Sequence, residues 1–540
     1  MAGRTGNEKV IEQFLADGFT YMFGNPGTVE QGFLDALREY PDMRYILTLQ
    51  ESVAVMMADG YARATKQPAL VQIHSAPGLG NAIGAIYQAK RGHAPLVVIG
   101  GDAGLSYLNM EAQMYADLVA MAEPVTKWAA MVYDSRSLLR MVRRAVKIAT
   151  TPPMGPVYLC LPADVLDQIN EEEVYPACRL EPSGSSDEEA LQRAADLLCG
   201  AKDPTIFIGD GIAYADAQAE LTGLAEQLGA PVWGVDAGEL NMDTTHPCYR
   251  GQTGHMFGEG SNPLTKRGDV VLICGTYMMP EVYPALGDIY QKDAAVIHID
   301  WDSDAIAKNH RVDIGILGHP KATLKRLGQL VKQSASAGQK AVMEARRAGL
   351  SPVPVRAAGE TAADEFLHRL NGLMPDAVVF DEALTCSPLL NAYFPPTKPG
   401  HFFQTRGGSL GVGVTGAMGI KLAFPEKEVI GFAGDGGTMY VIQALWTAAR
   451  EHIGAKFVIF SNRSYGLLKQ NIRKYWETQK ISEHEMPIGF SIDGPELDFV
   501  EFARAQGIDA MRVTTKEEAD EAAKKMAGSK KAFLVELTID

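Results

Sequence analysis

Short, uninterrupted apolar runs recur along the chain and alternate with longer stretches of helical spacing. The runs include TYMF (20–23), ALVQIHS (69–75), VVLICG (270–275) and KFVIFSN (456–462). Runs that are apolar throughout, without alternating polar residues, are what parallel strands covered by helices on both faces require. The pattern therefore predicts an α/β fold made of doubly wound parallel sheets.

The length of 540 residues suggests about three domains, at roughly 100–200 residues for each. Two stretches have the composition of linkers. Residues 170–189 are acidic and contain Pro and Ser, and residues 334–360 combine small residues and charges with a Pro-Val-Pro sequence. Division at these stretches predicts domains over 1–170, 190–333 and 360–540, each with its own doubly wound parallel sheet.

The overall composition excludes several classes of protein. The formal net charge of −16 argues against nucleic acid or an anionic membrane surface as the main partner. The longest apolar runs are much shorter than the roughly 20 residues that span a bilayer. The six cysteines form no C-x-x-C pair, so no zinc site or redox pair is predicted, and we expect a cytoplasmic protein with free thiols.

The third predicted domain contains a strand–helix–strand unit with polar residues at both strand ends. Strand 429–433 is followed by Gly434-Asp435-Gly436-Gly437, and strand 456–460 is followed by Ser461 and Asn462. A right-handed crossover brings both carboxyl ends to one edge of the sheet, so Asp435 and Asn462 can meet there. A carboxylate and an amide oxygen, with a loop carbonyl, suit Mg²⁺, and the glycines and helix start suit a diphosphate.

Two alternatives weaken this interpretation of the motif. A Gly-Asp-Gly sequence alone can be a tight turn, and a second copy, Gly209-Asp210-Gly211, has Ala237 at the matching spacing of 27 residues, so we predict only a turn there. The segment 411–416 also imitates a G-x-G-x-x-G dinucleotide motif, with Asp435 following 19 residues later. No strong buried strand precedes it, so close helix packing is favoured over nicotinamide binding.

Gly-Asp-Gly followed about 25 residues later by Asn at a strand end resembles the motif of thiamine-diphosphate enzymes. Three further strand ends, in the first predicted domain, present Thr28, Glu51 and His74, which places a hydroxyl, a carboxyl and an imidazole on one rim. Thiamine chemistry needs a carboxyl group beside the cofactor's aminopyrimidine ring, and Glu51 is the candidate. The alternatives are a first-turn carboxylate for Glu51 and a structural histidine for His74.

Longer segments make the resemblance more specific. GNPGTVE, LQESVAV, HSAPGLGNAIGA, GPVYLCLPAD, HPCYRG and SYGLL together resemble the benzoylformate decarboxylase group of the thiamine-diphosphate family. The resemblance covers nearly the whole chain and implies pyrimidine-binding, central and diphosphate-binding domains. It also implies a homodimer or homotetramer, in which Glu51 of one chain lies opposite Asp435 of another.

The resemblance also implies roles for individual residues. Glu51 would activate the cofactor, His74 would transfer protons and bind intermediates, and Thr28 would lie near the substrate carboxylate. Asp435 and Asn462 would bind Mg²⁺ through their side chains and Ser464 through its carbonyl, while Leu410 would wedge the cofactor into a V shape. The full set of predicted cofactor-binding residues is Asn25, Pro26, Gly27, Asn81, Leu384, Thr385, Gly408, Leu410, Gly434, Gly436, Gly437, Tyr465, Gly466 and Leu467.

The predicted substrate pocket is apolar and suits an aromatic or branched substrate, with Met278, Met279 and Leu468 among its residues. The alternative is that the two methionines are ordinary core filler. The chain also lacks the second catalytic histidine of benzoylformate decarboxylase, whose counterpart is Glu281 or Val282, and His255 is a less convincing substitute. Without that donor we expect carboligation or acyloin cleavage to be favoured.

The expected function is that of a thiamine-diphosphate- and Mg²⁺-dependent 2-oxo-acid decarboxylase with carboligase activity, acting on a small 2-oxo acid or aldehyde. One alternative is an acetolactate-synthase-like carboligase or a 2-hydroxyacyl-CoA or acyloin lyase. No sequence feature demands the additional FAD or CoA that such enzymes commonly bind. An alternative of another class is a non-catalytic cofactor-binding homologue.

Overall fold

The computed structural model describes residues 3–180, 186–353 and 359–539. Within these residues, eighteen strands form three sheets of six strands each, and the strand pairs with a determined register are all parallel. Helices connect most of the successive strands. The predicted fold class, doubly wound parallel α/β sheets, is confirmed.

The first sheet lies in the N-terminal third of the chain, and its central strands are buried along their whole length. Its strands are β1 (Tyr21–Gly24), β2 (Arg44–Leu47), β3 (Ala69–Ile73), β4 (Leu96–Asp102), β5 (Ala129–Met131) and β6 (Val157–Pro162), in the order β2-β1-β3-β4-β6-β5. Its helices are α1 (Gly6–Ala16), α2 (Gln31–Ala36), α3 (Glu51–Thr65), α4 (Ser75–Arg91), α5 (Leu118–Ala122), α6 (Leu138–Thr150) and α7 (Ala163–Leu166).

The second sheet belongs to the central third of the chain. Its strands are β7 (Pro204–Ile208), β8 (Val232–Gly234), β9 (Tyr249–Gln252), β10 (Val270–Cys274), β11 (Ala295–Asp300) and β12 (Ile314–Leu317), in the order β12-β11-β10-β7-β8-β9. Its helices are α8 (Glu188–Gly200), α9 (Gly211–Tyr214), α10 (Gln218–Leu228), α11 (Asn262–Thr265), α12 (Pro320–Ser334) and α13 (Ala337–Ala348).

The third sheet belongs to the C-terminal third. Its strands are β13 (Val378–Glu382), β14 (Phe402–Gln404), β15 (Val429–Gly434), β16 (Lys456–Ser461), β17 (Asp509–Val513) and β18 (Phe533–Thr538), in the order β14-β13-β15-β16-β18-β17. Its helices are α14 (Ala362–Leu373), α15 (Ser387–Tyr393), α16 (Val412–Ala423), α17 (Asp435–Met439), α18 (Ala444–Arg450), α19 (Gly466–Gln479), α20 (Phe499–Ala505) and α21 (Lys516–Gly528).

The chain divides into two compact units, which does not settle the three predicted domain ranges. One unit contains the described residues of 1–180, 358–394 and 405–540, and the other those of 181–357 and 395–404. In the first unit, α3 packs closely on α16 because glycines lie at their contact. A Cβ atom at Gly60 would lie 2.2 Å from the Gly416 carbonyl oxygen, and one at Gly419 would lie 1.9 Å from the Met57 carbonyl oxygen.

The predicted linkers are wrong over part of their length. Residues 337–348 form α13, which begins with a capping box between Ser336 and Gln339 and buries Met343. Arg346 of this helix donates to the carbonyl of Leu228, which fastens α13 to the second unit. In the other predicted linker, Asn170 donates to the Ser135 carbonyl oxygen at 2.6 Å. Within the two predicted linkers, residues 181–185 and 354–358 lie outside the described residues.

The six cysteines form no disulfide bond, in agreement with their spacing in the sequence. None of the helices in the described ranges has both the length and the apolar character that crossing a bilayer requires.

Candidate functional site

Asp435 lies where β15 ends and α17 begins, and its side chain is 4% exposed. Its Oδ1 accepts the N–H of Gly436 at 2.7 Å, and its Oδ2 accepts the N–H groups of Asn462 at 2.9 Å and Arg463 at 2.6 Å. Burial raises the pKa of Asp435, and these hydrogen bonds oppose the rise. Strands β15 and β16 are neighbours, so the predicted meeting of the two strand ends occurs in the structure.

Asn462 and Ser464 lie in the loop after β16, beside Asp435. The Asn462 Oδ1 accepts the Ser464 N–H at 3.0 Å, and the Ser464 carbonyl oxygen accepts the Gly466 N–H at 2.9 Å. The described residues contain no group of three His, Cys, Asp or Glu side chains able to bind a metal. A cation site in this part of the chain would therefore depend on neutral amide and carbonyl oxygens, which this loop concentrates beside one carboxylate.

The glycines around Asp435 allow close approach from two directions. A Cβ atom at Gly436 would lie 2.5 Å from the Tyr465 ring, and one at Gly437 would lie 2.6 Å from Oε1 of Glu382. At Gly434 a Cβ atom would meet nothing within 4 Å, so the space beside this glycine is open. The loop is packed on one side and open at its first glycine.

Other predicted cofactor residues lie around the same loop. Thr385 and Gly466 are neighbours, since a Cβ atom at Gly466 would lie 3.5 Å from the Thr385 Oγ1. Leu410 lies beside Gly437, whose Cβ position is 3.7 Å from the Leu410 Cβ. Further predicted residues are Leu384, which has a φ of 49° and is 38% exposed, Gly408, which has a φ of 75°, and Leu467 and the exposed Leu468, both in the first turn of α19.

In the G-x-G-x-x-G segment, residues 411–416, the backbone N–H groups that would bind a dinucleotide are already used within the protein. The Glu382 carboxylate accepts the Gly411 N–H at 2.7 Å and the Gly413 N–H at 2.5 Å. An anion of the protein therefore occupies the position that a pyrophosphate takes in a dinucleotide fold. Close packing explains the last glycine, because a Cβ atom at Gly416 would lie 2.4 Å from the Phe380 ring.

Glu51 is the first residue of α3 and is 5% exposed. Its two carboxylate oxygens accept separate amide groups, Asn25 Nδ2 on Oε1 and Asn81 Nδ2 on Oε2, each at 3.0 Å. The preceding residue, Gln50, caps the helix by accepting the Ser52 and Val53 N–H groups. Three of the predicted residues, Asn25, Glu51 and Asn81, thus form one cluster on the rim of the first sheet.

His74 follows β3 and has a contact at each ring nitrogen. Nδ1 lies 2.9 Å from the Glu30 Oε2, and Nε2 lies 3.3 Å from the Met114 sulfur. Gly27 makes this position possible, because a Cβ atom there would lie 1.9 Å from the His74 ring. Thr28 begins the short 3-10 helix that ends at Glu30, and Pro26 precedes Gly27 in the same loop.

Sequence reasoning missed Glu30 and Met114. Glu30 is 5% exposed, and burial raises its pKa while the His74 ring opposes the rise. A signal for Glu30 was available, since it lies two residues after Thr28 on the same rim. Met114 lies 40 residues from His74 in sequence, in a loop without a motif, so only the folded chain identifies it.

The predicted substrate-pocket methionines lie in the second unit. Met278 is 3% exposed and Met279 is 2% exposed, both in a core cluster with Phe207 and Tyr290. This burial favours the alternative of core filling. Of the two candidates for the missing histidine, Val282 is 57% exposed, whereas Glu281 is buried and accepts the Ser261 hydroxyl at 2.7 Å. The His255 side chain is 65% exposed.

The Glu51 and Asp435 clusters are separate within one chain. Glu51 accepts only from Asn25 and Asn81, and Asp435 accepts only from the backbone of its own loop and of the loop after β16. No hydrogen bond connects these two carboxylates or their partners across the described part of the chain. The two carboxylates are thus held by different partners.

Comparison with known proteins identifies the family. Residues 4–121 match the model described as the thiamine pyrophosphate enzyme N-terminal TPP-binding domain, 191–327 match its central domain, and 383–537 match its C-terminal TPP-binding domain. A benzoylformate decarboxylase of Pseudomonas aeruginosa is 31% identical, over 99% of this chain and 98% of that protein. The chain belongs to the thiamine pyrophosphate enzyme family.

Further relatives of this thiamine pyrophosphate enzyme have different activities. The large subunit of acetolactate synthase isozyme 3 from Escherichia coli is 28% identical, over 99% of this chain and 95% of that protein. A Rhodococcus jostii 4-hydroxybenzoylformate decarboxylase structure has a TM-score of 0.86 and 27% identity, covering 99% of each chain. The relatives of this enzyme thus include decarboxylases and acetolactate synthases, and the predicted family and enzyme class are confirmed.

The residues of this thiamine pyrophosphate enzyme fit the cofactor that defines the family. One carboxylate after β15, and one amide oxygen and one carbonyl oxygen after the neighbouring strand β16, are hard donors of the type that Mg²⁺ prefers. The open space beside Gly434 and the close approach allowed by Gly436 suit a diphosphate. Glu51, with each oxygen accepting one hydrogen bond, keeps further acceptor positions for a ring nitrogen.

Proposed function

We propose that the chain is a thiamine-diphosphate- and Mg²⁺-dependent 2-oxo-acid decarboxylase of the benzoylformate decarboxylase type, with carboligation as a second outcome. The carrying observation is the pair of built clusters, one around Glu51 and His74 and one around Asp435 and Asn462. The 31% identity to a benzoylformate decarboxylase over nearly the full length supports this substrate type.

The proposed cofactor binds at the carboxyl ends of β15 and β16. Asp435 and Asn462 would bind Mg²⁺ through their side chains and Ser464 through its carbonyl oxygen, with the diphosphate beside Gly434 and Gly436. Thiamine diphosphate supplies, when bound, the carbanion and the electron sink that 2-oxo-acid decarboxylation requires. The protein supplies position and proton transfer.

Glu51 is the proposed acid–base group for activation of the cofactor. Its carboxylate is buried, and two asparagine amides fix its orientation. A buried carboxylate with a free acceptor position can hold a proton on one oxygen and return it without side-chain rotation. Asn25 and Asn81 act as positioning residues in this proposal.

His74 is the proposed proton-transfer group for the substrate. Glu30 holds Nδ1 and leaves Nε2 as the nitrogen that can exchange a proton with bound substrate. The Met114 sulfur covers Nε2, so substrate access at this nitrogen requires displacement of a thioether, which is a weak hydrogen-bond partner. The Thr28 hydroxyl on the same rim would bind the substrate carboxylate.

A carboligase of the acetolactate synthase type is the second candidate. The observation that favours it is the lack of a free proton donor at Glu281 or Val282, the two counterparts of the missing histidine. Glu281 in that segment accepts a hydrogen bond from Ser261, and Val282 has no ionisable group that could donate a proton. A shortage of proton donors prolongs the life of the nucleophile left after CO₂ loss, which favours attack on an aldehyde or a second oxo acid.

The test is a panel of 2-oxo acids with and without acceptor aldehydes, scored for CO₂, aldehyde and acyloin. We expect CO₂ release from aromatic or branched 2-oxo acids, with a measurable acyloin fraction. Glu51→Gln should abolish turnover and retain cofactor binding, while Asp42→Asn, an exposed change in the same domain, should have no effect. No CO₂ release from any 2-oxo acid would contradict the decarboxylase assignment.

We also propose that each active site takes Glu51 from one chain and Asp435 from another, in a homodimer or homotetramer. Glu51→Gln and Asp435→Asn should each be inactive alone. Because a mixed dimer restores one intact site, co-assembly of the two variants should recover about a quarter of wild-type activity. Absence of recovery in confirmed mixed dimers would show that both residues serve the same site from one chain.

A further inference from the structure

Glu382 is a buried carboxylate with no assigned role. It ends β13, is 1% exposed, and accepts two backbone N–H groups. A carboxylate at this depth is costly unless hydrogen bonds compensate its charge. The donors it uses, Gly411 and Gly413, belong to the start of α16, where the helix dipole also favours an anion.

The same carboxylate contacts a second segment. A Cβ atom at Gly437 would lie 2.6 Å from the Glu382 Oε1, so this oxygen is directly beside the Gly437 backbone. Glu382 therefore lies between two segments that are distant in sequence. One is residues 409–413, which contains Leu410, and the other is residues 434–437, the proposed diphosphate loop.

We propose that Glu382 is a positioning residue that sets the separation between Leu410 and the diphosphate loop and thereby the affinity for thiamine diphosphate. This inference rests on the proposed function, because it takes the cofactor roles of Leu410 and of residues 434–437 from there. Glu382 acts through backbone groups: its two hydrogen bonds hold residues 411 and 413, and its Oε1 supports Gly437.

The backbone of residues 411–413 is confined on two sides. The Gly413 backbone is also close to β15, since a Cβ atom there would lie 2.5 Å from the Phe432 carbonyl oxygen. With the backbone confined by β15 on one side and by Glu382 on the other, Leu410 cannot move together with Gly411 without loss of the hydrogen bond that the Gly411 N–H donates to Glu382. A displaced Leu410 would no longer fit a cofactor bound between it and Gly437.

The test compares Glu382→Gln with wild type by titration of the apoenzyme with thiamine diphosphate at saturating Mg²⁺. The amide keeps the side-chain shape but presents an NH₂ group to one backbone N–H. We expect about 10- to 100-fold weaker cofactor binding, with an unchanged KM for the 2-oxo acid at saturating cofactor. Unchanged cofactor affinity in a folded Glu382→Gln protein would overturn the proposal.

Glu536→Gln is the matched control. Glu536 is a 3% exposed carboxylate in the same sheet that accepts its hydrogen bonds from Arg512 and not from the backbone of either segment. This variant should lose stability without losing cofactor affinity, and equal loss of affinity in both variants would overturn the proposal. Glu382→Asp is the second test variant, because it keeps the charge but is one methylene too short to reach both donors and Gly437. It should bind the cofactor with intermediate affinity.

Asp435→Asn separates this inference from the proposed function. If Asp435→Asn also leaves cofactor affinity unchanged, the assignment of residues 434–437 to the diphosphate is wrong. If Asp435→Asn weakens binding and Glu382→Gln does not, only the role of Glu382 is wrong. If neither Glu382 variant folds, the residue is a folding determinant and the proposal is also overturned.

Discussion

The two Gly-Asp-Gly segments of the chain each follow a buried strand and place an aspartate against the backbone of a later loop, but their surroundings differ. Asp210 follows β7 and Asp435 follows β15, and the two side chains are 5% and 4% exposed. Each carboxylate accepts two backbone N–H groups from a later loop. The donors are Gly238 and Glu239, 28 and 29 residues after Asp210, and Asn462 and Arg463, 27 and 28 residues after Asp435.

The space and the oxygen atoms around them differ. The second glycines, Gly211 and Gly436, are equally packed, but a Cβ atom at the first glycine of the central copy, Gly209, would lie 2.5 Å from Thr276, whereas Gly434 faces open space. The third donor to Asp210 is a side-chain amide, the Asn241 Nδ2 at 3.2 Å, whereas the third donor to Asp435 is the backbone N–H of Gly436. The sequence motif therefore specifies a loop whose backbone is held by an aspartate, and of the two first glycines only Gly434 leaves space beside it.

The largest effect is expected for Asp435→Asn. Loss of one carboxylate oxygen should weaken Mg²⁺-dependent cofactor binding and lower kcat/KM by more than about 100-fold, by analogy with the 10- to 100-fold effects of more distant partners in metal sites. The measurement is cofactor titration with steady-state kinetics, and Asp210→Asn is the control. Retained activity in Asp435→Asn would contradict the proposal that the two Gly-Asp-Gly segments differ in function.

Asp210→Ala should act on stability alone. It leaves the N–H groups of Gly238 and Glu239 without their buried acceptor, at a cost of about 2 to 4 kcal/mol of unfolding free energy. Urea unfolding followed through Trp233 and Trp301, both in the second unit, measures this cost. A cofactor affinity lower than that of wild type would mean that the central copy also serves the cofactor.

Asp300 is a third carboxylate at a strand end, and its titration shows whether backbone donors decide if such a buried carboxylate is charged. Burial raises its pKa to about 7, and the N–H groups of Asp302 and Trp301 only partly oppose the rise. The folded state therefore keeps a proton that the unfolded state releases above about pH 4. The contribution of Asp300 to the free energy of unfolding is largest below about pH 4, and it falls by about 2 to 4 kcal/mol in total as the pH rises to 7.

Asp300→Asn should remove that decline. The measurement is urea unfolding of wild type and variant from pH 5 to pH 8, with the variant gaining on the wild type as pH rises. A constant difference between the two proteins across this range would show that Asp300 stays ionised, and that few backbone donors suffice to keep a buried carboxylate charged.

The smallest effect is expected for Ala237→Asn, which places an amide at the spacing that Asn462 has from Asp435. Gly209 and Gly211 of the central copy are both packed, so an added oxygen alone should create no cation site. We expect a stability change within about 0.5 kcal/mol and, by calorimetry of the purified enzyme, no Mg²⁺ binding beyond that of wild type. Stoichiometric additional Mg²⁺ binding would show that the oxygen, and not the space, is the missing element.

Much of the site could be predicted because strand ends are visible in the sequence. Buried parallel strands are apolar throughout, so the polar residues after them, such as Glu51, His74 and Asp435, can be recognised. Met114, which covers His74, could not be predicted because it comes from a loop without periodicity. Glu382 was missed for another reason: as the last residue of a buried strand, it gave no sign that its partners were backbone groups 29 and 31 residues later.

Local pattern was also insufficient for the segment after residue 334. Its small residues and charges suggested a linker, but the Ser336–Gln339 capping box and the buried Met343 support helix α13. The two methionines after β10 show the reverse. Their composition suggested a pocket, and their position in the core of the second unit depends on neighbours such as Phe207 that no local pattern reveals.

The amino-acid sequence alone determined the parallel α/β fold, the family and the strand ends that carry polar side chains, because these depend on local periodicity and short-range motifs. The tertiary structure decided which of two identical Gly-Asp-Gly motifs is open to a ligand and which carboxylates hold the loops. Those properties depend on distances between segments that are far apart in sequence. The space beside a glycine and the donors around a carboxylate exist only after the sheets and helices have packed.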